Sequence, residues 1–330
     1  MACSFQPDAL AKYFVSKGAD GKKVANGGTK FAHFTNPVQS FSMKNCHLIA
    51  ALSSIAWVNK AFFPDKGNVG PYNFNFYDNG SIPVSVTKNL FSDGAIPCGA
   101  TSNNWDAADH ESWPPLWEKA FAKFCMYKIL KNSQGLPYYS LADLQNSAKD
   151  PVYSLLPKGS DWGGNPVTVM KWILNKPALY FAPRDASFTY GVSTYNNFYD
   201  LIKKGICKTS NIPAGCNGAK TLAYMGAWTY LNNVKANEHS QSTVVYDTTA
   251  LVADHCYSLL GIFEENAKRY IVLRNPFGKY DPTHLPIGTG PWNYKDGAST
   301  LTFNFTPNDG IFALEESTFK DYFEWFGVVG

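Results

Sequence analysis

The sequence predicts an α+β protein of two lobes, with helices before the middle of the chain and antiparallel strands after it. Three observations carry that expectation. Apolar residues recur at helical spacing in four segments before residue 206. After residue 240 the pattern switches to short runs rich in β-branched and aromatic residues. No internal repeat or low-complexity tract accompanies the switch, so two packed layers with a cleft between them are the simplest architecture.

Taken in order, residues 1–35 form a leader, Gly- and Lys-rich around Gly18-Ala19-Asp20-Gly21-Lys22-Lys23. Residues 46–60 read as a helix, because Leu48, Ile49, Leu52, Ile55 and Ala56 recur at i, i+3 and i+4. Residues 71–91 alternate as strands do, with Tyr72, Phe74 and Phe76 before Ile82, Val84 and Val86. The intervening Tyr77-Asp78-Asn79-Gly80 marks a hairpin. A helix over 114–131 opens with Pro114-Pro115 in the first turn, where a missing N–H costs little. Another begins at Asn165-Pro166 and carries Val169, Trp172 and Ile173 inward. A fourth is capped by Asn196 or Asn197 and ends at Gly205. Strands are expected over 243–246, 255–263, 269–274, 301–305 and 310–314, and one closing helix over 317–326. The expected division is therefore a helix-rich lobe over 36–205 and a β-rich lobe over 206–330.

Composition bounds the function. Of 330 residues, 45% are hydrophobic, enough to bury a core. Charged residues are 17% and aromatic residues 15%, a surface suited to a rigid cleft rather than a charged scaffold. A net charge of +3 is too mild to imply nucleic acid or an anionic membrane as partner. The longest apolar stretch, 48–58, contains Ser53 and Ser54 and is far shorter than the ~20 residues of a membrane span. No signal peptide is visible; the low charge leans weakly towards secretion, and localisation stays open. A monomer is expected. The seven cysteines (Cys3, Cys46, Cys98, Cys125, Cys207, Cys216 and Cys256) lack the spacing of a zinc site. Cys207 and Cys216, closing a short loop, are the best disulfide candidates, the alternative being two separate thiols.

Three segments carry chemistry: Lys44-Asn45-Cys46-His47-Leu48, Ala253-Asp254-His255-Cys256-Tyr257 and Leu273-Arg274-Asn275-Pro276-Phe277-Gly278. A cysteine in the first turn of a buried helix meets the positive end of the helix dipole, which favours thiolate. A histidine entering one strand and an asparagine leaving the next can lie side by side, so that Asn275 holds the His255 ring while its other nitrogen serves the thiol. Such a set activates a nucleophile for acyl transfer. The intervals are 209 residues from Cys46 to His255 and 20 from His255 to Asn275. The first exceeds the ~130–150 of papain-type enzymes, which implies inserted material.

Six segments in order resemble the protease core of the calpain family of papain-like cysteine proteases. Cys46-His47-Leu48-Ile49-Ala50-Ala51-Leu52-Ser53-Ser54 is similar to that family's nucleophile helix, D-C-W-x-x-A-A-L/I-x-S. Tyr72 to Gly80, with Val84 and Val86, resembles its F-x-F-W-x-x-G-x-W-V-x-V hairpin. Trp113-Pro114-Pro115-Leu116-Trp117-Glu118-Lys119-Ala120-Phe121-Ala122-Lys123 resembles W-x-x-L-L-E-K-A-Y-A-K. His255 to Gly261 resembles H-A-Y-S-V-x-G, and Leu273 to Gly278 resembles L-R-N-P-W-G. Asp309-Gly310-Ile311-Phe312-Ala313-Leu314 with Phe319 resembles D-G-E-F-W-M-S-F-x-D-F.

The resemblance implies a two-lobe papain-like fold and an endopeptidase acting on protein or peptide substrates, with Cys46 as nucleophile, His255 as acid and base, and Asn275 as its orienter. The family's oxyanion glutamine falls at Ser40, with Gln39 one residue upstream; Gln39 is the expected side-chain donor, through a loop one residue longer, and Ser40 in the cleft is the alternative. Phe277 replaces the tryptophan that shields the asparagine. His47 replaces the tryptophan after the cysteine; about 100° around the helix from Cys46, it cannot easily reach the sulfur, and it is expected to line the cleft. The resemblance also implies a calcium ion in each lobe. In the first, Pro37 and Asn36 stand at one acidic position, while Glu111, beside Asp109, matches another. In the second, Lys279, Tyr280 and Asp281 follow the N-P-F-G segment, and Asp309 is retained while Ile311 replaces a glutamate. Calcium takes six to eight oxygens, so no cofactor is required and Glu111 at best contributes to a weak site. The rival readings are a peptide-binding pseudoprotease and a Cys–His acyltransferase of transglutaminase type.

Overall fold

Residues 4–6, 34, 37–39, 44–63, 71–87, 90–93, 96–97, 100–101, 113–151, 164–240 and 242–330 are described by the structure, a computed structural model. The chain divides into two units, Met1–Gly164 with Thr168–Lys176, and Asn165–Val167 with Pro177–Gly330. The fold is mixed α+β, and all strand pairs among the described residues are antiparallel.

In the first unit the run from His47 to Trp57 is buried on every side, so Cys46–Val58 is a core helix rather than a surface one. Tyr72–Tyr77 pairs with Ser81–Val86 in the register Phe74↔Val84 and Phe76↔Ile82. Asn79 (φ 56°) and Gly80 (φ 144°) turn the hairpin through left-handed backbone that Asn and Gly tolerate. The buried face of the hairpin lies on the helix Trp113–Lys128: Phe76 stacks on Phe124 with centroids 4.7 Å apart, and Trp117 meets Phe74 edge-on at 4.8 Å. That helix also buries two lysines. Lys119 pairs with Asp150 and donates to Thr87 Oγ1 at 2.9 Å; Lys123 donates to the Ser85 and Asn146 carbonyls at 2.7 and 2.9 Å. Burial lowers both ammonium pKa values, that of Lys123 to about 8.

The second unit is built on an eight-stranded sheet. Its order is Ile287–Gly288, Ile311–Glu315, Lys268–Arg274, Cys256–Glu265, Tyr224–Thr229, Phe323–Val329 and Ala178–Phe181, with Gly218–Lys220 pairing to Cys256–Glu265. One core cluster joins Met225, Ala227, Tyr257, Leu259, Leu273 and Phe326 of the sheet to Phe198, Leu201 and Ile202 of a helical segment and Phe319 of another. Asn197 caps the first of these segments by accepting from the Asp200 N–H at 2.8 Å. Its later part, Leu201–Ile206, widens into a π-helix.

Two expectations change, the division of the chain lies elsewhere than at 205/206, and the alternatives at Cys207 and Cys216 resolve to separate thiols. The division at 205/206 falls inside the second unit, because the segment ending at Ile206 packs into the sheet's own core. The closing helix is Glu316–Tyr322 and stops there; Phe323–Val329 pairs on both sides as a strand. Phe319, Phe323 and Phe326 fit the helical period, yet two ladders of backbone hydrogen bonds outweigh it. Residues 243–246 form no strand: their N–H groups go to the Asn237 and Asn233 side chains and the Tyr322 hydroxyl. Cys207 and Cys216 are separate thiols. Cys207 enters the sheet core, where burial pushes its thiol pKa up, while Cys216 closes a surface turn onto the Pro213 carbonyl. Among the described residues, no helix is long and apolar enough to cross a membrane.

Candidate active site

In the first unit Cys46 is the first residue of its helix and half-exposed, while the residues after it are buried. Its position is the positive end of the helix dipole. Asn45 precedes it without capping. Instead Asn45 Nδ2 donates to buried Glu118 Oε1, and the Asn45 carbonyl accepts from the Leu48 and Ile49 N–H groups at 3.0 and 3.1 Å. One side chain therefore ties the helix start to the helix Trp113–Lys128. His47 does not take the cleft position expected of it. It is 2% exposed and meets Phe121 edge-on at 6.0 Å, because the step of about 100° from Cys46 turns it into the core. Gln39 is buried in the strand Val38–Gln39, opposite Ala100. Ser40 and Glu111 lie outside the described residues.

In the second unit His255 and Asn275 do come together. His255 leads into the strand Cys256–Glu265, Asn275 follows Lys268–Arg274, and these strands pair with Ser258 opposite Arg274. The result is a buried contact of 3.0 Å between His255 Nε2 and Asn275 Oδ1. The orientation of the amide follows from a second bond. The Phe277 N–H, which can only donate, lies 3.1 Å from the same Oδ1, so that atom is the oxygen. An oxygen facing Nε2 requires Nε2 to carry the proton. In the neutral ring Nδ1 is then the nitrogen with the lone pair. Phe277 stacks on the imidazole with centroids 4.8 Å apart and planes at 18°, and Tyr257 abuts it edge-on at 5.1 Å. Tyr257 was not singled out from the sequence; its place two residues after His255 puts it on the same sheet face.

The loop after Asn275 is latched to the loop before Ile311. The Asn275 N–H donates to the Gly310 carbonyl at 2.8 Å, and Asp281 accepts from the Asn308 and Gly310 N–H groups at 2.6 and 3.0 Å. Gly310 (φ 78°) is required here, since a Cβ would stand 2.6 Å from the Lys279 nitrogen. Asp309 accepts from the Ile311 N–H at 2.8 Å. Its carboxyl is pushed up to about 6, mainly by burial and further by Asp281, with Arg274 opposing; burial takes Arg274 down to about 9. Both carboxylates that the calcium comparison singled out thus already serve backbone N–H groups. Among the described residues there is no cluster of three His, Cys, Asp or Glu.

No known protein-family profile matches the chain. Over 80 residues, 23% of its length, it is 32% identical to a thiol protease of Porphyromonas gingivalis (strain ATCC BAA-308 / W83), and the matched stretch is 16% of that protein. The similarity is to a cysteine protease in the broad sense and reaches no particular family of them.

Proposed function

We propose that the chain is a papain-like cysteine endopeptidase of the calpain type. The observation that carries this reading is the buried His255–Asn275 pair, in which Nε2 is committed to the amide oxygen and Nδ1 is left as the base. A half-exposed cysteine at a helix start and the likeness to a thiol protease support it. In the proposed reaction His255 Nδ1 takes the Cys46 thiol proton, and the resulting thiolate bonds to the scissile carbonyl carbon. The oxyanion is met by the Cys46 backbone N–H and by Gln39 or Ser40. The C–N bond then breaks as His255 gives its proton to the departing amine. Water attacks the thioester, His255 takes the water's proton, and the thiolate leaves. Asn275 keeps the ring oriented and Phe277 covers that hydrogen bond. The chemistry needs no calcium.

The test is labelling of the folded chain with an epoxide-type thiol inhibitor in the presence of EGTA, beside cleavage of an unfolded protein. Modification confined to Cys46 together with chelator-resistant cleavage is the expected result. A folded protein in which Cys46 stays unmodified and no cleavage occurs would overturn the reading in favour of a peptide-binding homologue.

A further inference from the structure

Thr229 belongs to no motif, yet it holds the backbone of His255 from both sides. It ends the strand Tyr224–Thr229, whose register against Phe323–Val329 shifts between Trp228 and Thr229. The Thr229 N–H donates to the His255 carbonyl at 3.0 Å, and the His255 N–H donates to Thr229 Oγ1 at 3.1 Å. The hydroxyl proton goes to the Val252 carbonyl at 2.7 Å, with the His255 carbonyl a longer alternative at 3.2 Å. Thr229 is 2% exposed, so water does not readily replace these bonds.

What the hydroxyl closes is the turn over residues 252–255. Asp254 in that turn has φ 49°, left-handed backbone that is uncommon for a residue with a Cβ, although Asp tolerates it better than most. Such a conformation persists only where its surroundings impose it. Here they are the Thr229 hydroxyl on one side and the Tyr230 carbonyl, accepting from the Asp254 N–H at 2.9 Å, on the other. Asn275, Phe277 and Tyr257 fix the His255 ring, but they act on a side chain whose root Thr229 places.

We propose that Thr229 is a positioning residue for His255: its hydroxyl sets the backbone from which Nε2 reaches Asn275 Oδ1. The kinetic part rests on the endopeptidase reading; the geometric part does not. Thr229→Val is nearly isosteric and leaves the His255 N–H and Val252 carbonyl without the hydroxyl. Thr229→Ser keeps it.

The experiment compares both variants in the full chain by kcat and KM on a peptide substrate, and by the nitrogen NMR signature of the His255 tautomer. Expected are a loss of about 10–100-fold in kcat for Thr229→Val with KM within about threefold, loss of the Nε2–H signature, and near-parental behaviour of Thr229→Ser. A Thr229→Val protein with unchanged kcat and tautomer overturns the proposal. So does a Thr229→Ser protein as impaired as Thr229→Val. If the parent chain cleaves nothing while Thr229→Val alone still loses the tautomer signature, the endopeptidase reading fails and the positioning role stands.

Discussion

The two units place their reactive side chains by different means. Cys46 is held by what is buried around it: eleven consecutive residues from His47 to Trp57 are out of water, and the Asn45–Glu118 bond anchors the helix start. His255 is held by directed bonds, with Thr229 on its backbone, Asn275 on its ring and aromatic faces on two sides. Each unit buries charge of both signs: the first encloses Lys119, Lys123 and Glu118, and the second buries Arg274 beside the half-buried Asp309. On the proposed reading, the nucleophile is placed by a rigid buried helix, whereas the base is fixed in position, rotation and tautomer by directed bonds.

The largest test of that contrast is catalytic. On the proposed reading, Cys46→Ala and His255→Ala should each lower kcat/KM by at least about 10³-fold, as expected for a nucleophile and base that act as a unit. Asn275→Ala should cost about 10–100-fold, since it removes orientation and leaves the base. His47→Ala should act on stability and leave kcat nearly unchanged, given its place against Phe121. A His47→Ala loss of kcat exceeding that of His255→Ala would reverse the assignment of the base.

Next in size is the lysine clamp. Lys119→Ala should destabilise the chain by about 2–3 kcal/mol, because it opens a cavity and leaves Asp150 without its buried partner. Urea unfolding measures this; a change below about 0.5 kcal/mol would mean that the clamp contributes nothing net.

The smallest effects are pH-dependent; both come chiefly from burial and they run in opposite directions. The Lys123 pKa is lowered on folding, so the unfolded chain binds more protons and stability contributed by this group rises from about pH 8 towards 10.5. The Asp309 pKa is raised from 3.8 to about 6, so the folded chain binds more protons and stability falls as pH rises across that interval. Asp309→Asn should therefore stabilise the protein at pH 7, by about 1 kcal/mol once solvent screening is allowed for, and leave it unchanged near pH 3. Denaturation of parent and variant at the two pH values gives the answer, and equal stability at pH 7 would show the carboxylate to be solvated after all.

What the sequence determined by itself is whatever depends on neighbours within a few residues. The 3.6-residue period announced Cys46–Val58, Pro114-Pro115 announced the start of Trp113–Lys128, Asp78-Asn79-Gly80 announced the hairpin, and Asn196-Asn197 announced a cap that Asn197 supplies before Phe198. The spacing of His255 and Asn275 on either side of a strand pair was legible for the same reason, since a hairpin brings its ends together. Tertiary structure decided the rest. Whether Phe323–Val329 continues a helix or joins a sheet depends on partners about 100 and 150 residues away, and the ladders they supply outweigh the local period. Whether His47 lines a surface or a core depends on where Phe121 lies. Whether Cys207 meets Cys216 depends on the sheet core that takes Cys207 in. The bonds of Thr229 are tertiary too, because a hydroxyl bonding a backbone 26 residues away has no local signature; the role proposed for it needs two strands and a left-handed turn buried together.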